Sequence, residues 1–218
     1  MISKLYFDKT NIIVKECRNK SVLDLGIVDH DVKYEQKKDW LHRKLKNVAK
    51  DILGLDLNEE AIKILKNKGY NVVSANAENF NLKNKFEVIV AGDLIEHLNN
   101  VGMFLNSVKK HMNKDSIFIA TVPNCLSISN WLELIFFGRI KYINDEHTIW
   151  YDANTIKRVF ENHGFIIKEL SFMINNPQFI GETKFRRFLK NTRHFLSVII
   201  CSLRKQAAPT IFVKVVIK

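Results

Sequence analysis

Five short runs, SVLDLG (21–26), DILGLD (51–56), YNVVSA (70–75), FEVIVAG (86–92) and SIFIATV (116–122), alternate with longer stretches of helical periodicity. This rhythm constrains the chain most, because strands separated by helix-length connections pair in parallel. Each run is rich in Val, Ile and Leu on both faces, as a sheet covered by helices on both sides requires. The connectors carry helix punctuation. NEEAIKILKNKG places Asn58 as a cap, Glu59 and Glu60 in the first turn, Ile62 and Leu65 on one face, and Gly69 as a stop. LNNVGMFLNSVKKHMNKD aligns Val101, Phe104, Leu105 and Val108 and ends in lysines.

Beyond Pro123 the rhythm loosens. LSISNWLELIFFG (126–138) reads as a helix, RIKYINDEHTIWYD (139–152) as a polar and aromatic loop, and DANTIKRVFENHG (152–164) as a short capped helix. GFIIKELSFMI and APTIFVKVVIK read as two further strands. The 218 residues, 46% of them apolar, suffice for one core, so the chain reads as a single domain, 1–218.

In an open parallel sheet, ligands bind beyond the carboxyl ends of the strands. There the sequence places Asp24-Leu25-Gly26, Asp56, Ala77-Glu78 and Gly92-Asp93, the last continuing to Glu96-His97. An acid ending the second strand suits an adenosine ribose, whose two hydroxyls one carboxylate can accept.

In this order, VLDLG, GLDLNEEAI, ANAENF and FEVIVAGDLIEHL resemble the class I S-adenosylmethionine-dependent methyltransferases over about 21–124. The resemblance implies a Rossmann-like, doubly wound α/β fold: a mostly parallel seven-stranded sheet with helices on both faces and an antiparallel C-terminal strand. It implies S-adenosyl-L-methionine as cofactor and S-adenosylhomocysteine as product. Asp24 and Gly26 would approach the methionine part, Asp56 the ribose and Leu57 the adenine. Ala77 and Glu78 would lie at the adenine edge, and Asp93 and Leu94 under the reacting centre.

One departure stands out. The family usually carries G-x-G-x-G where this chain reads Gly26-Ile27-Val28-Asp29-His30. Glycines there permit positive φ and close approach to a ligand. Either the loop is remodelled through VKYEQKKDWLHRKLKN, with Asp29, His30 or Trp40 contacting the cofactor, or the domain is a non-catalytic scaffold. The retained Asp56 and Glu96-His97 favour remodelling. A dinucleotide dehydrogenase fits less well, because its pyrophosphate grip depends on the missing glycines.

Methyl transfer mainly requires alignment, and a hydroxyl acceptor gains from a base. His97, just beyond the donor site, and His147, in the irregular stretch 126–151 where the family places acceptor-binding elements, are the candidates for that catalytic role. His97 could instead merely close the loop. Trp150 and Tyr151 could wall the acceptor pocket. Asp145-Glu146-His147 has the residue types of a metal site, but consecutive side chains rarely converge on one ion, so no metal is expected.

The net charge of +11 is unevenly spread. No acidic residue follows Glu182, and nine of the 34 Lys and Arg lie beyond it, so residues 1–182 carry 25 basic against 23 acidic residues. The segment 184–205 sets Phe185, Phe188, Leu189, Leu196, Ile199, Ile200 and Leu203 against Arg186, Arg187, Lys190, Arg193, His194, Arg204 and Lys205. Such a cationic amphipathic helix packs on its own protein, lies peripherally on an anionic membrane or grips an acidic partner. Without an RNA-binding module, nucleic acid is the least supported partner.

Cys17, Cys125 and Cys201 show no paired spacing, which fits a reduced, cytoplasmic setting. MISKLYFDKTNIIVKE interrupts its apolar residues with charges, unlike a signal peptide, and the apolar run FLSVIICSL is too short to span a bilayer. The expected function is methyl transfer to a small-molecule acceptor, since AENF, AGDLIEHL and EHTIWYD look most like enzymes methylating sugars or related intermediates of bacterial surface-glycan pathways. The acceptor would be anionic or lipid-linked. A lipid or quinone-like acceptor is the alternative enzyme reading.

Overall fold

A computed structural model of the chain describes residues 3–28, 40–140, 146–174 and 183–218. The strands are β1 (Leu5–Tyr6), β2 (Ser21–Leu25), β3 (Asp51–Asp56), β4 (Val72–Ser74), β5 (Phe86–Gly92), β6 (Met112–Pro123), β7 (Phe165–Met173) and β8 (Thr210–Ile217). The helices are α1 (Lys9–Cys17), α2 (Leu41–Lys46), α3 (Glu59–Asn67), α4 (Val101–Lys110), α5 (Ile128–Phe137), α6 (Ala153–Asn162) and α7 (Lys184–Leu203).

All eight strands join one sheet in the order β1-β7-β8-β6-β5-β2-β3-β4. The strands are parallel except β8, which runs antiparallel to both β6 and β7. This is the doubly wound arrangement expected from the alternation of strands and helices. Its strand order reverses between β2 and β5, so the carboxyl ends of these two strands flank the crevice where ligands bind.

The count of seven strands is corrected to eight. The addition is β1, whose Leu5 and Tyr6 pair with Phe172 and Met173 at the edge of the sheet. Two residues are too few to display a period, so the strand is visible only through its partner.

Strand alternation divides the interior into two layers. Leu23 and Leu25 of β2 join Phe104, Leu105 and Val108 of α4 and Ile156 and Phe160 of α6 on one face. Val22 faces the other way, with Ile13 and Cys17 of α1 and Leu45 of α2. Each fully buried Leu, Ile or Phe contributes about 1.5–3 kcal/mol, which outweighs the modest propensity of these short helices.

Helix starts follow the expected chemistry. Asn58 caps α3 by accepting the Ala61 N–H at 3.0 Å, and Asn100 caps α4 through the Met103 N–H at 3.0 Å. Asp152 and Thr155 form a reciprocal capping box at α6. Gly138 ends α5 in the left-handed region, at φ +67°.

Two helices depart from core packing. No residue of α5 is buried, and Phe136 and Phe137 are each 73% exposed. On α7, Phe188, Phe195, Leu196, Ile199 and Leu203 are all exposed, while Cys201 near its end is buried. Of the three roles left open for the 184–205 helix, packing on the protein holds for Cys201 and Val198 but not for these exposed residues. Residues Lys205–Ala207, just beyond α7, form a separate short 3-10 turn.

Candidate functional site

Gly26 leaves β2 at φ +72° and donates its N–H to the Leu55 carbonyl at 2.8 Å, tying the first crossover loop to β3. A Cβ at this position would come within 3.0 Å of Leu94 Cδ1. The one glycine kept from the motif thus serves both a left-handed turn and close contact with Leu94. Two positions on, the Val28 N–H donates to Asp56 Oδ2 at 2.8 Å. Trp40 donates its indole N–H to the Ile27 carbonyl at 2.8 Å and is buried beside Tyr70. The loop without its second and third glycines is anchored by side chains at both described ends. Asp29 and His30 lie outside the described residues, as does Asp145.

Asp56 ends β3 half-buried, and its Oδ1 accepts the Asn58 N–H at 3.0 Å. Desolvation raises its pKa, against the pull of the N–H groups of Asn58, Val28 and Leu57. The neighbouring Asp24 carboxylate adds to the rise. Leu57, 67% exposed, offers an open apolar surface beside it.

Asp24 is engaged within the protein. Its carboxylate is 3% exposed and accepts the His42 Nδ1–H at 2.9 Å, both groups lying beneath the sheet. This carboxylate ties α2 to β2. Glu78 is also engaged: its Oε1 accepts the backbone N–H groups of Asn99 and Asn100 at 2.7 and 2.9 Å, ahead of α4. Ala77, half-buried, packs against the core next to it.

Asp93 follows β5 at φ +54°, a conformation uncommon outside glycine, held by its neighbours. Its N–H donates to the Thr121 carbonyl at 3.1 Å, its Oδ1 accepts the Thr121 hydroxyl at 2.8 Å, and Lys9 donates to its Oδ2. Desolvation works to raise this carboxyl, but the Lys9 ammonium and the Thr121 hydroxyl bring it below the ordinary range. Lys9, from the first turn of α1, is a site residue that sequence reasoning missed; a lone lysine beside a helix cap carries no signal by itself.

Next comes a 3-10 turn, Ile95–His97. Glu96 is 1% exposed, and burial pushes its carboxyl up to about 8, helped by the nearby Asp93 charge. Its backbone carbonyl accepts the N–H groups of Thr148 and Ile149 at 2.9 and 3.3 Å and the Thr148 hydroxyl at 3.1 Å. The same hydroxyl approaches the Leu98 carbonyl at 3.0 Å. This clamp brings the stretch after α5 over the turn and sets the rings of His97 and His147 edge to face, centroids 4.7 Å apart. The two histidines proposed separately from sequence thus share one site. Thr148, which joins them, was overlooked.

His147 also borders a small pocket, whose lining includes Asn124, Asn130, Ile140, Ile149 and Trp150. Trp150 lines this pocket. Tyr151 does not: it is 4% exposed and packed in the core, and burial pushes its phenol up to about 12. Adjacent side chains of an extended segment point to opposite sides, so only one of the pair can face the pocket.

Asn124 sits where two exposed helices depart. Its Nδ2 donates to the Gln206 and Ala208 carbonyls at 2.7 and 2.8 Å, and its N–H donates to the Pro209 carbonyl at 2.8 Å. The beginning of α5 and the end of α7 therefore meet at the carboxyl edge of β6, beside the pocket.

An open sheet with its polar residues gathered at the carboxyl ends of β2, β3 and β5 defines an α/β domain built to hold a nucleoside-type ligand. The chain belongs to the methyltransferase family described as "Methyltransferase domain", which matches residues 5–170. Its fold is that of S-adenosylmethionine-dependent methyltransferases. It is similar to one from Archaeoglobus fulgidus, with a TM-score of 0.61 and 17% identity over 96% of this chain and 91% of that one. Another, from Clostridium acetobutylicum, gives 0.60 and 13% over 95% and 90%. The magnesium protoporphyrin IX methyltransferase of Synechocystis, solved with bound SAH, gives 0.58 and 11% over 96% and 82%. No curated protein matches the sequence.

Proposed function

We propose that this protein transfers the methyl group of S-adenosyl-L-methionine to a hydroxyl of a lipid-linked sugar or related glycan-pathway intermediate. The observation that carries the reading is the pairing of His97 with His147 between Asp93 and the pocket bordered by Trp150. The cofactor lies across the ends of β2, β3 and β5, with its ribose at Asp56 and its adenine near Leu57. Gly26 and Leu94 form the floor beneath its methionine portion. Transfer is a displacement in which the acceptor oxygen forms the new bond to carbon as the carbon–sulfur bond breaks. The protein aligns the two partners, and an imidazole takes the hydroxyl proton.

The lipid link is supported by α5 and α7. Both leave the sheet beside the pocket, and their exposed surfaces combine Trp131, Ile135, Phe136 and Phe137 with Phe188, Phe195 and Leu203. Lys184, Arg187, Lys190 and Arg193 are exposed on α7, and the chain beyond Glu182 carries no acid. Apolar area with cationic charge matches the interface of an anionic bilayer. No described helix is long and apolar enough to cross a membrane. The apolar surface of α5 also favours a second reading, in which the acceptor is a lipid or quinone-like molecule.

Isotope-labelled methyl transfer in the presence of anionic vesicles tests the reading, with polyprenyl-linked sugars, nucleotide sugars and quinols as separate acceptors. Label in the sugar fraction supports the first reading, and label in the quinol supports the second. In parallel flotation assays, the protein is expected to rise with anionic vesicles at low salt and to remain below with neutral ones. Failure to rise in either removes the membrane contact.

A further inference from the structure

Glu96, His97 and His147 each present one ligand atom, and the three atoms lie within 4.8 Å of one another. We propose that these side chains form a binding site for one divalent cation of the zinc, iron(II) or manganese(II) type. The proposal departs from the sequence expectation of no metal, which was argued on a different trio, the consecutive Asp145-Glu146-His147. Here the third ligand comes from a distant segment, delivered by the Thr148 clamp to the turn that carries the other two.

The independent observation is Glu96. Its side chain is buried, yet neither carboxylate oxygen has a hydrogen-bond partner among the described residues. Buried carboxylates are normally paired, hydrogen-bonded or metal-bound. Satisfying Glu96 therefore calls for a group not supplied by the described protein atoms. A cation between Glu96 and the two imidazoles answers that need.

The donor set indicates the class of ion. Two imidazole nitrogens with one carboxylate oxygen suit borderline cations, whereas calcium and magnesium favour oxygen ligands. Ligand atoms held about 2.1 Å from one ion are at most about 4.2 Å apart, so closure requires side-chain movements of roughly an ångström. Three protein ligands leave at least one position for an outside oxygen, and His147 borders the pocket.

The consequence for catalysis rests on the methyltransferase reading, although the cation site does not. An acceptor hydroxyl coordinated at the open position loses its proton to water more readily. Its oxygen then forms the bond to the methyl carbon while the carbon–sulfur bond breaks and the electron pair returns to sulfur. With the cation bound, the two imidazoles serve as its ligands in place of the base role they have in the metal-free protein, and the proton passes to solvent.

The test is titration of chelator-treated, full-length protein with Zn²⁺ by calorimetry and with Co²⁺ by visible absorption, without donor or acceptor. One Zn²⁺ per chain and tetrahedral or five-coordinate Co²⁺ bands are expected. Glu96→Gln and His147→Ala should each weaken Zn²⁺ binding at least about tenfold. Circular dichroism and S-adenosylhomocysteine titration of both variants establish that the fold and donor site persist. Folded protein that binds neither ion, or equal affinity in wild type and folded variants, would overturn the proposal. Cation binding without methyl transfer would leave the site standing and reject the catalytic reading.

Discussion

Gly54 in the middle of β3 shows how tightly the donor side of the sheet is assembled. A Cβ there would stand 2.7 Å from both His42 Cε1 and Ile27 Cδ1, and 3.0 Å from Val72 Cγ1. Because His42 also holds Asp24, an added methyl would push apart a buried pair as well as overpack the layer. Gly54→Ala should therefore destabilise the protein by about 1–3 kcal/mol, measurable by urea unfolding; unchanged stability would contradict this packing. The end of a strand announces Asp56 and Gly26 in the sequence, because acids and glycines there have few other uses. By contrast, the engagement of Asp24 with His42 was illegible, since the histidine arrives from the segment that replaces the missing glycines. Glu96 was legible as a position, but its burial and the lack of hydrogen-bond partners for its carboxylate among the described residues arise only from the fold.

At the scale of elements, the stretch from Glu146 to Tyr151 makes the site out of two otherwise separate regions. It has no regular secondary structure apart from a single bridge between Asn124 and Tyr151, so its position depends on a few hydrogen bonds. Thr148→Val removes the hydroxyl that joins the Glu96 and Leu98 carbonyls. The expected result is a loss of about 1–2 kcal/mol in urea unfolding with unchanged S-adenosylhomocysteine affinity in calorimetry. Weakened binding would mean that this stretch supports the donor site too. Long, periodic elements such as α3, α4 and α6 were readable from spacing and caps. The short β1 was not, and neither was the exposure of α5 and α7, because an amphipathic pattern records an apolar face without saying what covers it.

Across the whole molecule, Glu169 links three strands distant in sequence. The Tyr6 hydroxyl donates to its Oε1 at 2.5 Å, the Ser171 hydroxyl donates to the same oxygen at 2.8 Å, and Lys214 approaches its Oε2 at 3.7 Å. Desolvation works to raise the Glu169 carboxyl, but these donors and the nearby Lys4 charge hold it below its ordinary value of 4.5. A carboxylate lowered in the folded state contributes stability above its unfolded pKa and loses it as pH falls through the folded one. Glu169→Gln should accordingly flatten the acid limb of stability against pH. An equally steep limb in the variant would place the acid sensitivity elsewhere. Tyr6 works in the opposite direction: burial and Glu169 push its phenol from 10.0 up to about 12, so stability falls as pH rises through that interval.

The central claim is that a loop with a single glycine still completes a donor site with Asp56. Calorimetric titration of the purified protein with S-adenosylhomocysteine, beside the Asp56→Ala variant, tests it most directly. The account predicts one binding event per chain, weakened at least about tenfold when the ribose carboxylate is removed. No binding by folded wild-type protein would contradict it and would leave the domain as a scaffold that kept the methyltransferase fold without its chemistry.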